Sequence, residues 1–290
     1  MHLIEHMDSL EIIPNALGLY FFGQVAAAIQ GPDGVLYIDP YLTDFDWSSG
    51  GTLPRLFPSP LEPERVTNAS GVLVTHDHAD HFDPNSLEPI ARQSPNAVFA
   101  GPYPCDFGRC GIAPERVVRP KVLEPFQIGS ATITALPSAH YNLGINDDNF
   151  AHFGYIIQWN GVTVYHAGDT IIWDAKHPEL QQLEASHRAR EGLLELLRGW
   201  RIDVAFLPIN GRDYFRENVY HLVGNLDVRE VVEMAQRLDI GVVVPTHYDL
   251  FERNLEAPGR FVDALYAANP MRRSKVMRPG ELYYFVRQDT

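Results

Sequence analysis

The sequence predicts a mixed α/β (α+β) chain built from two stacked β-sheets with helices on their outer faces. Three observations predict it. Short apolar, β-branched runs bounded by Gly, Pro and Asn-Gly turns occur in both halves of the chain. Each half also carries segments with helical spacing and capping residues. No repeat of short period, low-complexity tract or linker interrupts the 290 residues, so a single domain over 1–290 is expected.

Taken in order, a short leader is followed by the apolar and aromatic stretch Gly18–Ile29, read as one strand. The turn Gly31-Pro32-Asp33-Gly34 then leads to Val35–Ile38, completing a hairpin. Ser48–Asn68, rich in Pro, Gly and Ser, reads as a long surface loop. Gly71–Thr75 is a buried strand that runs directly into a histidine-rich turn. Asp83 before Pro84 pairs an N-cap with proline at the first helical position, so a helix starts there. Ala97–Gly101 and Ala131–Leu136 are strands, and Tyr155–Trp159 joins Val162–Tyr165 through Asn160-Gly161. Glu184–Leu197 has helical spacing, and Asp203–Pro208 is a buried strand. Asp227 and Glu230 form a capping box for a helix over Val228–Leu238. Gly241–Pro245 is a strand ending at Thr246-His247, and Phe261–Ala268 is the last helix.

Composition narrows the function. The hydrophobic share of 45% and charged share of 21% are those of a globular protein. No apolar run reaches membrane-helix length, and the N-terminus lacks a basic leader, so a cytoplasmic protein that avoids membranes is expected. The net charge of −14 opposes nucleic-acid binding. It does not exclude a small anionic substrate, because a metal pair or one Arg reverses the potential inside a cleft. Cys105 and Cys110 lie in a Gly- and Pro-rich loop and read as reduced structural thiols without chemistry.

The chemistry is carried by Thr75-His76-Asp77-His78-Ala79-Asp80-His81. Four ligand-type side chains at i, i+2, i+4 and i+5 follow a buried strand, where one turn can aim them into one cleft. Imidazole and carboxylate together suit zinc, manganese or iron. A chance match to four specified positions occurs in roughly one chain in ten thousand. Further ligand types also arrive at strand ends: His140 after ITALPS, Asp169 after VTVYHAG and His247 after VVVPT.

These residues resemble the metallo-β-lactamase superfamily, whose signature is an HxHxDH turn followed by a later His, Asp and His. The resemblance runs from Gly23 and Ile38-Asp39-Pro40 through Gly168-Asp169-Thr170 to Thr246-His247. Within it, the stretches Thr75–Asn85, Phe99–Cys105, Tyr165–Thr170 and Leu207–Asp213, with Gly224-Asn225, resemble the L-ascorbate-6-phosphate lactonase branch. The chain departs from some lactonases of that branch in carrying His at 140 where they carry Asp.

The resemblance implies a four-layer αββα sandwich, the metallo-β-lactamase fold, with two divalent metal ions at one edge between the sheets. It implies that His76, His78 and His140 hold the first metal, that Asp80, His81 and His247 hold the second, and that Asp169 bridges them. Asp39 is expected to brace the turn from below. A homo-oligomer is also implied, although no interface stripe stands out in the sequence.

Such a site would share a water between two metals, lower its pKa and leave a hydroxide aimed at a lactone carbonyl, with Asp80 ligating, orienting and shuttling the proton. The first reading is therefore a lactonase for a small phosphorylated sugar lactone such as L-ascorbate 6-phosphate. The second is a phosphodiesterase using the same site; an iron oxidoreductase and a non-catalytic binding protein rank below. Arg212 could clamp a phosphate and Asn210 read a hydroxyl, the alternative for Arg212 being a salt bridge to a neighbouring acid. Asn225 and Asn142 are further substrate-binding candidates. His152, His166 and His221 read as supporting or core residues rather than ligands.

Overall fold

A computed structural model describes residues 2–46, 51–52, 54–146, 149–212, 217–219 and 224–288. Two seven-stranded sheets account for most of it. The first contains β1 (Ala16–Gly23), β2 (Ala26–Gly31), β3 (Gly34–Ile38), β4 (Ala69–Leu73), β5 (Val98–Ala100) and β6 (Val117–Val118), with the C-terminal β14 (Leu282–Val286) beside β1. The second contains β7 (Pro125–Ile128), β8 (Ala131–Pro137), β9 (Phe153–Trp159), β10 (Val162–His166), β11 (Ile202–Pro208), β12 (Ile240–Thr246) and β13 (Arg273–Ser274), paired in that order. In each sheet one half is antiparallel and the other parallel, the change falling at β3 in the first and at β10 in the second.

Strand alternation explains why these segments stack in layers. Along β1, Leu17, Leu19 and Phe21 face the second sheet, while Tyr20 and Phe22 face outward. β2 and β3 repeat the pattern, with Ala27, Ile29, Leu36 and Ile38 inward and Ala26, Ala28, Val35 and Tyr37 outward. The outward set is covered by α1 (Leu3–Ser9) through Ile4 and Met7, and by α2 (Pro84–Gln93) through Leu87, Ile90 and Ala91. Short α3 (Leu193–Leu197), α4 (Val228–Arg237) and α5 (Pro258–Ala268) join the core on the second-sheet side through Leu196, Met234 and Phe261. Two sheets buried on both faces require helices on both outer sides, which is the αββα order expected.

Local signals act where expected. Asp83 caps α2 by accepting from Asn85 N at 3.0 Å, with Pro84 opening the helix. Asp227 and Glu230 form the capping box of α4 at 2.7 and 2.9 Å. Asn160-Gly161 turns β9 into β10, both residues having positive φ.

Two expectations need correction, and some elements have no counterpart in the sequence reading. Gly18–Ile29 is two strands, because Gly23 and Gln24 adopt φ of 103° and 56° and reverse the chain. Glu184–Leu197 is not one helix: Gly192, at φ 91°, separates a 3₁₀ turn over Arg188–Glu191 from α3. The leader contains α1, and β6, β7, β13 and β14 were not anticipated. Part of the Ser48–Asn68 loop lies outside the described residues; within it, Pro63–Arg65 forms a 3₁₀ turn.

Candidate metal centre

The cleft lies at the carboxyl ends of β4, β8, β10 and β12, where open mixed sheets place their ligands. β4 delivers the histidine-rich turn, which closes through His81 N and Phe82 N donating to His78 O at 3.0 and 2.7 Å before α2 begins. Asp39, fully buried at the end of neighbouring β3, braces that turn from below. It accepts from Thr75 N at 2.7 Å, Thr75 Oγ1 at 2.6 Å and His81 Nδ1 at 2.8 Å. The bond to Asp39 sets the His81 tautomer and leaves Nε2 facing the cleft. From the second sheet, Phe153 N donates to Thr75 O at 2.8 Å, stitching the turn to β9. Gly168, at φ 59°, lets Asp169 approach closely: a Cβ there would sit 2.8 Å from the Thr75 side chain.

All seven expected ligand residues come together. Their ligand atoms fall into three mutually close groups: His76, His78 and His140; His76, His81 and Asp169; Asp80, His81 and His247. Atoms within each group lie within 4.8 Å of one another. Asp169 sits between the two outer groups. Its Oδ1 is 3.4 Å from His81 Nε2, and its Oδ2 is 3.6 Å from His140 Nε2 and 3.1 Å from His247 Nε2. His140 Nδ1 donates to Gly224 O at 2.8 Å, which turns Nε2 toward His78 Nδ1, 3.1 Å away. A Cβ on Gly224 would lie 2.3 Å from the His140 ring, so only glycine fits against it.

The donor set fits metal ions. His76 Nε2, His81 Nε2 and Asp169 Oδ1 are buried with no hydrogen-bond partner. Each such orphan costs about 1–3 kcal/mol, a penalty that coordination would remove. Electrostatics point the same way. Burial pushes the Asp169 and Asp80 carboxyls up, but surrounding imidazoles, chiefly His247 and His81, outweigh it and hold both below the usual carboxylate range. Burial depresses His76, and lowers His140 to about 4, so both stay neutral and keep a lone pair to donate. His81 goes the other way: burial opposes its charge, yet Asp169, Asp39 and Asp80 together raise it well above the imidazole range.

The substrate candidates are placed differently from the ligands. Asn225 Nδ2 donates to Asp169 Oδ2 at 3.3 Å and to Asn210 Oδ1 at 3.1 Å, so both asparagines are buried beneath the cluster. Asn142 accepts from His140 N through its backbone oxygen at 3.0 Å and has an exposed side chain. Arg212 faces Glu217 at 3.6 Å and Glu230 at 4.0 Å, in a pocket lined by Asp227, Val228 and Arg260, none of which belongs to the ligand groups. That is the salt-bridge alternative. His152 packs beside the ligands, 5.5 Å from His76 between ring centroids, with Nδ1 unpartnered. His166 is structural, its Nε2 donating to Val25 O at 2.9 Å. His221 and Asp213 lie outside the described residues.

Sequence reasoning missed Gln24, Asn254 and Tyr141. Gln24 Nε2 donates to Asp80 Oδ2 at 2.7 Å, and Tyr141, 46% exposed, lies 4.2 Å from the His140 ring between centroids. The Gly23-Gln24 reversal was the available signal for the first; adjacency to His140 was the only one for the last. Gln24, Asp39, Tyr141 and His247 all have positive φ, and non-glycine residues in that region gather where a site over-determines the backbone.

Fold and site together define the class. The chain belongs to the β-lactamase superfamily, whose domain profile matches residues 36–248. It is a metal-dependent hydrolase of that superfamily. It is 30% identical over 241 residues to a UPF0173 metal-dependent hydrolase of Thermococcus kodakarensis, covering 83% of this chain and 88% of that protein. It is 26% identical over 230 residues to UlaG of Escherichia fergusonii, named as a probable L-ascorbate-6-phosphate lactonase. That match covers 73% of this chain but only 58% of the relative's length. The structure of Igni18, a metallo hydrolase from Ignicoccus hospitalis, superposes with a TM-score of 0.66 at 23% identity, over 94% of this chain and 100% of that one, and shares the fold. Among the described residues no helix is long and apolar enough to cross a membrane.

Proposed function

We propose that this hydrolase acts on the ring ester of a small anionic sugar lactone, of the L-ascorbate 6-phosphate type, using two divalent ions, zinc or manganese. The observation that carries the two-ion reading is the pair of outer ligand groups, His76/His78/His140 and Asp80/His81/His247, with Asp169 between them. Bound there, the ions would supply Lewis acidity and lower the pKa of water toward neutrality. The substrate class is supported by the likeness to UlaG and by a cleft lip formed by Tyr141 and Asn142 beside His140.

The chain's own residues divide the remaining work. Asp80 has the most open of the two cluster carboxylates, 19% exposed against 3% for Asp169. As the more open carboxylate, it is placed to take a proton from the attacking water and return it to the leaving alkoxide. Asp169, held from below by Asn225, keeps the two ligand groups at a fixed separation. Asp39 and Gly224 fix His81 and His140 so that their free nitrogens need no reorganisation. Arg212, tied to Glu217 and Glu230, takes no assigned part in substrate binding.

The test is a panel of lactones, including L-ascorbate 6-phosphate, beside bis-p-nitrophenyl phosphate, with metal-loaded and chelator-treated protein. Lactone hydrolysis that disappears on chelation is expected. Phosphodiester cleavage without lactone turnover would replace the proposal with the phosphodiesterase. Inactivity on both by fully loaded protein would point to a binding protein.

A further inference from the structure

Two of the three residues in the second ligand group, Asp80 and His247, share a neighbour that is neither ligand nor substrate contact. Gln24 is 1% exposed and sits at the β1–β2 reversal with φ 56°. Its backbone oxygen accepts from His247 N at 2.6 Å. Its side-chain nitrogen donates to Asp80 Oδ2 at 2.7 Å and lies 3.1 Å from His247 Nε2. On its other side, Gln24 Oε1 accepts from Asn254 Nδ2 at 2.5 Å. Asn254 Oδ1 in turn accepts from Phe251 N at 2.8 Å.

This chain has a fixed polarity. A backbone N–H can only donate, so Phe251 forces Asn254 to present oxygen to it and its NH₂ to Gln24. Gln24 must then present oxygen to Asn254 and its NH₂ to Asp80. An amide facing a carboxylate the other way round would set two acceptors against each other, with nothing between them.

We propose that Gln24, oriented by Asn254, is a positioning residue that holds Asp80 and His247 in ligating geometry and so sets the affinity of the second metal position. This rests on the two-metal reading above. Partners of this kind typically change metal affinity about 10–100-fold when removed. The first position, formed by His76, His78 and His140, makes no contact with Gln24 among the hydrogen bonds of the described residues, so the effect is confined to one of two equivalents.

The test is a competitive titration of zinc into metal-free protein, for wild type, Gln24→Met and Asn254→Asp. Met keeps the length of Gln without its donors, and Asp keeps the acceptor for Phe251 N but cannot donate to Gln24. Circular dichroism checks folding, and the visible spectrum of cobalt-loaded protein reports each site's geometry. Wild type is expected to take up two equivalents. Gln24→Met is expected to weaken one about 10–100-fold and alter one cobalt signature, leaving the other equivalent unchanged. Asn254→Asp moves the same equivalent in the same direction, and it decides the matter should Gln24→Met fail to fold. Two variants titrating like wild type, or equal weakening of both equivalents, would overturn the proposal while leaving the metal centre intact. A wild-type protein that binds no zinc would overturn the centre itself, and this inference with it.

Discussion

At the scale of single residues, stability and function pull in opposite directions, and the cluster shows where function wins. Unpartnered His76 Nε2, His81 Nε2 and Asp169 Oδ1 would be poor choices for a core that held no cation. The ligands were legible in sequence because metal binding requires rare residue types at rigid strand ends, and HxHxDH after GVLVT leaves little room for another reading. The contacts of Gln24 with Asp80 and His247 were not legible, because a supporting amide has no spacing motif. Arg212 stood between two readings because a guanidinium near a ligand strand looks the same in sequence whether it meets a phosphate or Glu217, which it faces here. Two predictions belong at this scale. Gly224→Ala puts a methyl 2.3 Å from the His140 ring, so metal analysis should find one position weakened at least about 10-fold although every ligand is retained. Cys105 and Cys110 are buried, which raises the first thiol well above its ordinary range and pushes the second up to about 12. Both should resist iodoacetamide at neutral pH in native protein and react only after denaturation, as read by mass spectrometry.

At the scale of elements, helix starts were legible wherever a local rule has one physical outcome. Asp83-Pro84 and Asp227…Glu230 each satisfy orphan N–H groups in only one way, and both helices begin there. The errors fell where two forces compete. Gly18–Ile29 is apolar throughout because both faces of β1 and β2 are buried, so hydrophobicity could not mark the reversal that left-handed Gly23 and Gln24 make. In Glu184–Leu197 the helical spacing is real, yet Gly192 meets the backbone of Trp173 and Asp174 and turns the chain out of helical geometry. The α4 cap offers a direct check. Asp227→Ala should cost about 1 kcal/mol, seen as a lower urea midpoint with an unchanged slope, because one side-chain acceptor for Glu230 N is lost.

At the scale of the whole molecule, two sheets stacked face to face bring ligand-type residues from 76 to 247 to one cleft. No segment holds the centre alone, so metal and fold are thermodynamically linked. Ligands that bind only the native state stabilise it by about 2.7 kcal/mol at one hundred times Kd. Chelation should therefore lower Tm, and re-addition of zinc or manganese should restore it. One unfolding transition in both forms is the outcome that the single domain expected from the sequence predicts. The sandwich architecture was legible because alternation and capping repeat in both halves, whereas substrate identity was not: it depends on a few side chains at the cleft lip with no pattern of their own.

The central claim, that seven side chains hold two ions, is tested most directly by anomalous scattering from crystals grown with zinc. Two peaks are expected, one about 2.0–2.2 Å from nitrogens of His76, His78 and His140, the other at similar distances from Asp80, His81 and His247, with Asp169 touching both. No peak in the cleft, or a single peak that leaves Asp80 and His247 unliganded, would contradict it.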